Sequence, residues 1–463
     1  MILTKKKFAK MRATKIKKQP KLLIDTYYIY DNPKLIQDTY TAKKLHNTTL
    51  YYFRQALYKH HKWLMTSDLY KIIKRRTDNR ENMLYRQMQL AKTAQGVVKQ
   101  VGIDISNYGK AMSKFHKNPH KFQGKPKAPN YLRHPRTSFQ LNHQSFSFGR
   151  GNIVIHSYGI KVPIYKHYDI NGNEFYPKYH NIWVVPIHRG VALRCSYEPS
   201  TMRSLLPDNG IYVGIDPGVN NMFTLACNKA VKPCIINGRP LKSINQWANK
   251  LIALDRHQLT QYKQNSYTIH TKTGIQIKYA DSHRIQELFV KRNLKINAEA
   301  HNAIMRIIAY AQNCDAHTII IGKNKYWKNR SNMSAKNNQN FIGIPHARMI
   351  DQLTYRASMY GIAVITTNES YTSQTSFLDG EQPIKENGNI ARKEAGKRPF
   401  KRRIKRGLFK SDKGILINSD VNSALQIIKK VVPQVSFDRG IEAVVLQSYK
   451  LNPSFGMNLY NRK

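Results

Sequence analysis

Apolar side chains recur at helical intervals in the first part of the chain. Between Lys43 and Trp63, and again between Leu84 and Val101, they repeat every three or four residues among basic and aromatic side chains. This period is typical of amphipathic helices, so residues 31–120 are predicted to form a helical region. Its basic surface, with Tyr and Trp interleaved, suits the binding of RNA or a heteroduplex, and equally suits the solvated face of a helical bundle.

The pattern changes to short alternating segments after a Pro- and Gly-containing stretch at 121–129. Turn residues at 171–173 and elsewhere separate the segments, which span 145–148, 152–155, 160–164 and 182–187. Alternation of apolar and polar residues predicts strands with one buried face. Residues 121–209 are therefore predicted to form a small β-barrel or an antiparallel sheet, and Pro207 to Gly210 a domain boundary.

From Ile211 onward, strands are predicted to alternate with long helices. The predicted helices span 243–259, 282–312 and 349–360, and the predicted strands include 211–215, 318–321 and 362–366. Short apolar strands joined by helices indicate parallel neighbours with right-handed crossovers. The carboxyl ends of such strands form the edge of an α/β sheet where sites usually lie.

The charge of the chain points to a polyanionic partner. The 463 residues include 77 Lys and Arg but 27 Asp and Glu, giving a formal net charge of +50. The basic residues are spread along the whole chain, as expected for grooves that follow a phosphate backbone. The alternative is a highly soluble or ribosome-like basic protein.

The sequence does not favour a membrane protein or a disulfide-stabilised protein. No apolar stretch approaches the roughly 20 residues of a membrane span, and the N-terminus has no apolar signal-peptide core. We therefore expect an intracellular protein. Its cysteines, which form no CxxC pair, are predicted to be small buried residues rather than disulfides or zinc ligands: Cys195, Cys227, Cys234 and Cys314.

Two acids occupy positions where a metal site would be built. Asp216 ends the first apolar strand at a Pro-Gly turn, and Asp420 stands at the head of a helical pattern. One carboxylate on a first strand and one on a late helix is how RNase H- and RuvC-type nucleases bring metal ligands together. Cleavage with two Mg²⁺ ions about 4 Å apart needs two or three such acids. A third would be expected at Gly322, whose side chain cannot bind a metal.

Glu369 is the predicted third ligand. It follows the strand at 362–366, which is predicted to lie next to the strand ending at Gly322. Adjacent strands are about 4.8 Å apart, so Glu369 could reach metals beside Asp216, and a glycine at 322 leaves room for it. The alternative is a surface acid in a solvated loop, and the rival ligands are Asp379 and Glu381.

Several motifs, in order, resemble the TnpB–Fanzor family of transposon-encoded, RNA-guided DNA nucleases. The resemblance covers residues 84–463 and rests on segments 122–131, 214–218, 371–376, 406–409 and 418–422. Ser376, Asp379, Lys410 and Lys413 stand where relatives usually carry zinc-binding cysteines. Three features resemble the eukaryotic and giant-virus Fanzors, in which the active-site glutamate is thought to be relocated. They are the replaced cysteines, the missing acid at Gly322 and the residue patterns at 321–328 and 369–379.

The resemblance implies a bilobed α/β plus α+β fold, with a β-barrel wedge, a helical recognition insertion and an RNase H-like RuvC nuclease domain. The implied segments are 1–30 (start of the wedge), 31–120 (recognition), 121–209 (wedge), 210–430 (nuclease), an insert at about 370–415 (degenerate zinc ribbon, target-nucleic-acid binding) and 431–463 (C-terminal tail). Asp216, Glu369 and Asp420 would hold two Mg²⁺ ions, and no zinc is expected. The partners would be a guide RNA (omega RNA) and double-stranded target DNA, in a monomeric ribonucleoprotein acting in a eukaryotic nucleus or encoded by a virus.

Two groups of side chains are predicted to contact nucleic acid. The first follows the strand at 318–321, where Trp327 could stack on a base or could instead pack under its loop: Lys323, Asn324, Trp327 and Lys328. The second belongs to a basic run that could also be a nuclear-import signal or a solvated loop: Arg402, Arg403 and Arg406.

Two other functions stay open. If the loss of acid at Gly322 is inactivation, the chain is an RNA-guided DNA-binding protein without cleavage. A RuvC-like, structure-specific nuclease that needs no guide is the second alternative, against which the large basic N-terminal region argues.

Overall fold

The computed structural model gives two compact units, each with its own hydrophobic core. The N-terminal unit spans Lys21–Thr201, and the C-terminal unit takes in Met202–Lys463. The described residues are 22–75, 80–149, 151–168, 173–198, 204–264, 266–271, 274–323, 338–339, 342–383, 402–405 and 407–454. Separate cores are what two domains require.

Helices fill the first part of the N-terminal unit, as the apolar period predicts. They are α1 (Pro33–His60), α2 (Thr66–Arg75), α3 (Arg80–Gln87) and α4 (Ala91–Lys117). The helix predicted from Lys43 begins earlier because Asn32 caps it. The Asn32 side chain accepts a hydrogen bond from the Leu35 amide at 2.9 Å, and Pro33 takes the first helical position. The helix predicted to end at Val101 continues to Lys117.

Antiparallel sheets make up the rest of the N-terminal unit. The strands are β1 (Leu23–Ile29), β2 (Phe139–Leu141), β3 (Ser147–Gly149), β4 (Asn152–Ile155), β5 (Ile160–Pro163), β6 (His167–Tyr168), β7 (Glu174–Phe175), β8 (Tyr179–Ile187) and β9 (Gly190–Tyr197). They form a four-stranded sheet of order β1-β9-β8-β2, a three-stranded sheet β3-β4-β5 and the pair β6-β7.

The prediction of a closed barrel is wrong for the described residues. Closure requires the two edge strands to pair, whereas β1 and β2 remain on opposite edges of their sheet. Alternating apolar residues specify a strand and the face that it buries, but they do not specify whether the edges of a sheet meet.

A six-stranded mixed sheet is the centre of the C-terminal unit. The strands of this unit are β10 (Tyr212–Pro217), β11 (Asn221–Cys227), β12 (Cys234–Asn237), β13 (Ser266–Thr271), β14 (Gly274–Tyr279), β15 (Thr318–Gly322), β16 (Ala363–Thr367), β17 (Arg403–Lys405), β18 (Leu408–Lys410), β19 (Leu416–Asn418) and β20 (Tyr449–Leu451). The order of the main sheet is β16-β15-β10-β11-β12-β20. β10, β15 and β16 are parallel, whereas β10 and β11 form an antiparallel pair.

Helices cover both faces of this sheet. They are α5 (Arg239–Gln261), α6 (His283–Asn313), α7 (His346–Met359), α8 (Ser419–Val431) and α9 (Ile441–Val444). On one face Ile427 and Ile428 of α8 pack with Ile320 and Ile365, and on the other Ile304 of α6 belongs to the larger core. The β15–α7–β16 unit confirms the predicted parallel pairing. The result is a mixed α/β arrangement in which β15, next to the edge strand β16, is fully buried.

Three smaller expectations concern the cysteines, membrane spans and the C-terminal segment. The four cysteines are buried and free, as predicted. Among the described residues, no helix is both long and apolar enough to cross a membrane. In the segment taken as a C-terminal tail, α9 forms and β20 pairs in parallel with β12.

Candidate active site

Asp216 lies at the end of β10, where the strand leaves the core. Val213 and Ile215 are buried completely, whereas Asp216 is half-buried. β10 runs parallel to β15, with Ile215 opposite Ile321. The carboxylate of Asp216 therefore comes out at the same edge of the sheet where β15 ends at Gly322.

Gly214 allows α8 to approach β10 closely. A Cβ at this position would lie 2.1 Å from the carbonyl oxygen of Ala424 and 2.8 Å from a side-chain carbon of Ile428. Both residues belong to α8, so a side chain at 214 would push the helix away from the strand. The contact brings the first turn of α8, which carries Asp420, toward the end of β10.

Hydrogen bonds hold Asp420 in that first turn. The Asn418 side chain caps the helix by accepting from the amides of Asp420 and Val421 at 2.9 and 3.3 Å. Asn221 donates from Nδ2 to Oδ2 of Asp420 at 2.7 Å, and the Ser419 hydroxyl donates to Oδ1 at 3.3 Å. The half-buried carboxylate thus has a fixed orientation.

The carboxylate of Glu369 occupies the space above Gly322. A Cβ at position 322 would lie 2.9 Å from the Cβ of Glu369 and 3.0 Å from its Oε2. β16 is the neighbour of β15, and Gly322 pairs with Thr367, shortly before Glu369. The carboxylate therefore lies where an acidic side chain on residue 322 would begin, and the absence of a side chain there leaves the space that it needs.

Burial and neighbouring charges shift the pKa values of Asp216 and Glu369. Burial raises the pKa of Asp216 well above its usual range, and repulsion from Glu369 and Asp420 raises it further, whereas Arg403 opposes the shift. Burial also raises the pKa of Glu369 to about 7, against the attraction of Lys430. Carboxyl groups whose charges are poorly solvated and mutually repelling are typical of catalytic sites.

The donor chemistry of the site fits Mg²⁺. Carboxylate oxygens are the ligands that this ion prefers, and a divalent cation relieves the repulsion between Asp216, Glu369 and Asp420. Within the described part of the chain, however, no group of three or more His, Cys, Asp and Glu side chains is arranged closely enough to hold a metal as it stands.

Arg403 is a predicted nucleic-acid contact that the structure brings to the acids. Its Nη2 donates to the Ser419 hydroxyl at 3.4 Å, and its charge opposes the raised pKa of Asp216. Lys323 follows β15 directly, and its amide donates to the Thr367 carbonyl oxygen at 2.7 Å. Outside the described residues lie Asn324, Trp327, Lys328 and Arg406.

Arg402, another predicted contact, is engaged by carboxylates. Its Nη1 donates to Oε1 of Glu381 at 2.6 Å, and its Nη2 pairs with Asp412. The Ser376 amide donates to the other oxygen of Glu381 at 2.7 Å, and the Asp412 amide donates to Asp379 at 2.9 Å. Arg402 thus links the two segments where the resemblance expects zinc-binding cysteines. Its binding of phosphate stays a prediction.

The rival ligands Asp379 and Glu381 have these other partners. Burial acts to raise the pKa of Asp379, but hydrogen bonds from Ser376 and from the Asp412 backbone bring it below its usual value. Both oxygens of Glu381 accept hydrogen bonds. Both acids are thus engaged in the contacts around Arg402 and Asp412, whereas the Glu369 carboxylate lies over Gly322, so Glu369 is the better candidate for the third ligand.

Two residues near Asp420, Asn221 in direct contact and Lys450 through Asn221, are not among the predicted site residues. Asn221 begins β11, directly after the turn that follows Asp216, and that proximity in sequence was a usable signal. Lys450 donates from Nζ to Oδ1 of Asn221 at 3.0 Å, although 229 positions separate the two residues. No local pattern indicates such a contact.

Comparison with known proteins finds one family model. Residues 346–427 match the model described as the TNB domain of Cas12f1-like proteins. The matched segment runs from the start of α7 into α8, and it includes Glu369 and Asp420. No curated protein gives a significant match.

Similar solved structures include three CRISPR effector complexes. A Cas12f1–sgRNA–target DNA complex has 16% identity and a TM-score of 0.32, covering 88% of this chain and 98% of that chain. A CRISPR–Cas12f ternary complex has 14% identity and a TM-score of 0.32, with coverages of 87% and 82%. A Cas12i1 R-loop complex after target DNA cleavage has 10% identity and a TM-score of 0.29, with coverages of 57% and 39%. Likenesses at this level carry no argument about activity.

Proposed function

We propose that the protein is an RNA-guided DNA endonuclease of the TnpB–Fanzor type, in which Asp216, Glu369 and Asp420 bind two Mg²⁺ ions. The observation that carries the proposal is the Glu369 carboxylate above Gly322, with its Oε2 3.0 Å from where a Cβ would stand. It supplies a third acid at the strand edge where the family pattern has lost one. The TNB-domain match over residues 346–427 supports the proposal because it includes two of the three acids.

The residues of the site would have different roles in cleavage. Bound Mg²⁺ would supply an activated water and stabilise the leaving oxygen of a phosphodiester. Asp216 lies near the end of β10 and Glu369 follows β16, the two strands on either side of β15. Asn221 keeps Asp420 oriented through a hydrogen bond of 2.7 Å. Arg403, whose charge already reaches Asp216, is suited to offset the charge of a phosphate held there.

The partners follow from the charge and surface of the chain. A net charge of +50 favours a long polyanion, and α1 exposes Tyr51 and Tyr58, with Arg54 5.7 Å from the Tyr58 ring. We infer that these surfaces bind a guide RNA and double-stranded target DNA, and that base pairing supplies most of the specificity. We also propose a monomeric, zinc-free ribonucleoprotein that acts in the nucleus of a eukaryotic host or is virus-encoded.

The first alternative, an inactive RNA-guided DNA-binding protein, has one observation in its favour. Among the described residues, no set of three metal-ligating side chains stands ready to hold an ion. The second alternative, a guide-independent nuclease, would leave the basic N-terminal unit without a guide to bind.

Cleavage of guide-matched plasmid with Mg²⁺ distinguishes the three functions. The protein is purified with its RNA, that RNA is sequenced to define the target, and the wild type is compared with Glu369→Ala. Cleavage by the wild type and none by the variant, with RNA and DNA binding intact, is expected. Guide-dependent binding without cleavage would favour the inactive protein, and cleavage without RNA the guide-independent nuclease. A fully active variant would move the third ligand to Asp379 or Glu381.

A further inference from the structure

Lys450 reaches the candidate active site from the far edge of the sheet. It belongs to β20, where it pairs with Ile235 of β12, whereas Glu369 follows β16 at the opposite edge. Its Nζ lies 3.0 Å from Oδ1 of Asn221, whose Nδ2 lies 2.7 Å from Oδ2 of Asp420. A single amide therefore separates this exposed lysine from one of the three acids.

Arg239 approaches the same place from the start of α5. The preceding residue, Gly238, donates its amide to the Asn220 carbonyl oxygen at 2.9 Å, and a Cβ on it would lie 2.2 Å from the carbonyl oxygen of Val219. The absence of a side chain at 238 lets the helix begin directly against the turn that follows Asp216. Arg239, exposed at the first helical position, consequently stands beside that turn.

The charge of Arg239 acts on Lys450. Burial lowers the pKa of Lys450, and the charge of Arg239 lowers it further, whereas Asp420 opposes the shift. Neither side chain forms an ion pair with a carboxylate among the described residues. Arg256, by contrast, is neutralised by a two-point pair with Asp281 at 3.0 and 3.2 Å. Two neighbouring cations without such a partner create a place for an anion.

We propose that Lys450 and Arg239 bind a backbone phosphate of the nucleic-acid strand held at the acids, on the side of Asp420 away from Glu369. The inference rests on the proposed function, since it takes the acids to be the place where that strand is cut. A phosphate fits better than a carboxylate ligand because the partner of so basic a chain is a polyphosphate. Lys450 also has a positioning role, because its contact with Asn221 holds the side-chain amide that orients Asp420.

Single-turnover cleavage of the guide-matched DNA tests the pair. The full-length protein with its RNA is compared with Lys450→Gln, Arg239→Gln and the double variant, and the control is Lys291→Gln, an exposed lysine on α6. Each single change is expected to slow cleavage by about ten- to a hundredfold, as for loss of a charged hydrogen bond. Lys450→Arg should restore most of the rate because it keeps the charge. Rates equal to that of the Lys291 control would overturn the proposal.

Lysine acetylation gives a second measurement that does not depend on cleavage. The wild-type ribonucleoprotein is acetylated with and without the target DNA, in Ca²⁺ in place of Mg²⁺, and modified lysines are quantified by mass spectrometry. Bound DNA is expected to protect Lys450 and to leave Lys291 reactive. Equal reactivity of Lys450 in both states would refute the phosphate contact even if the protein does not cut. A wild type that fails to cut but protects Lys450 would refute the nuclease function and leave the phosphate contact established.

Discussion

Two regions of the C-terminal unit depart in opposite ways from the pattern of the TnpB–Fanzor proteins that the sequence resembles. At the end of β15, Gly322 stands where an acid is expected, and Oε2 of Glu369 lies 3.0 Å from the point where a Cβ on residue 322 would be. At the expected zinc-binding positions, which include Ser376 and Lys410, the described residues form no group of three or more His, Cys, Asp and Glu side chains that could hold a metal. Arg402 instead joins Glu381 and Asp412 there.

The difference separates a chemical requirement from a structural one. A Mg²⁺ site needs carboxylate oxygens at one place, so a lost acid has to be replaced by another acid whose side chain reaches the same point. A structural cross-link needs only that two segments be held together, which ion pairs and hydrogen bonds achieve with different atoms. The loop from Thr375 is also fixed to α8, since Asn422 accepts from the Phe377 amide and donates to the Thr375 carbonyl, both at 2.8 Å.

The largest effect is expected at Glu369, the proposed third ligand. Glu369→Gln keeps the shape of the side chain but removes its charge, so cleavage should fall on the order of a thousandfold, the scale of losing a main electrostatic group. Asp379→Asn is the control and should leave cleavage nearly unchanged. Single-turnover rates measure both. Equal losses in the two variants would show that the chemistry is not confined to the edge beside Gly322.

The structural cross-link should affect stability instead of chemistry. Glu381→Ala leaves the Arg402 guanidinium and the Ser376 amide without their carboxylate, which should lower the free energy of unfolding by about 2–3 kcal/mol. Asp412→Asn should cost less, at most about 1 kcal/mol, because Asp412 is 64% exposed. Urea unfolding of the purified protein provides both values. An unfolding midpoint unchanged by Glu381→Ala would show that the pairing of Arg402 with Glu381 does not stabilise the protein.

Crowding at Gly322 should produce a smaller loss. In Gly322→Ala the new methyl group would meet Oε2 of Glu369 at 3.0 Å and a side-chain carbon of Ile427 at 2.9 Å. Displacing the carboxylate by a few tenths of an ångström should reduce cleavage by roughly tenfold, less than the roughly hundredfold loss that a misplacement of about 1 Å can cause. Gly343→Ala, with a methyl 2.9 Å from the Asn245 side chain, is a matched crowding control away from the three acids. A larger loss of cleavage in Gly343→Ala than in Gly322→Ala would show that an added methyl group slows the reaction by straining the fold and not by displacing Glu369.

Removal of zinc is expected to have no effect. A zinc-selective chelator should change neither the thermal unfolding nor the Mg²⁺-dependent cleavage, because the cross-link at Arg402 is made by protein groups. Removal of Mg²⁺ with a general chelator should stop cleavage and leave the cross-link intact. Elemental analysis by mass spectrometry provides a direct control. If the protein contained stoichiometric zinc and unfolded at a lower temperature after its removal, the view that ion pairs replace zinc here would be wrong.

Much of the fold could be predicted because it follows from local periodicity. The apolar run at Ile319 to Ile321 predicts a buried strand, and the strand–helix–strand pattern predicts the parallel pairing found between β15 and β16. The ends of helices were less predictable, since the cap at Asn32 extends α1 beyond its apolar pattern. The predicted barrel failed because pairing between edge strands depends on contacts between distant residues.

The sequence by itself determined the positive charge, the order of strands and helices, and the acids Asp216 and Asp420 at element ends. It also indicated Glu369, because a glutamate after one strand can reach over a glycine at the end of the next. Only the tertiary structure decided that this carboxylate stands over Gly322, that Arg402 pairs with acids, and that Lys450 reaches Asn221 across 229 positions. The physical reason is range: periodicity records the neighbours of a residue along the chain, whereas a site is assembled by the register of strands and the packing of a helix on them.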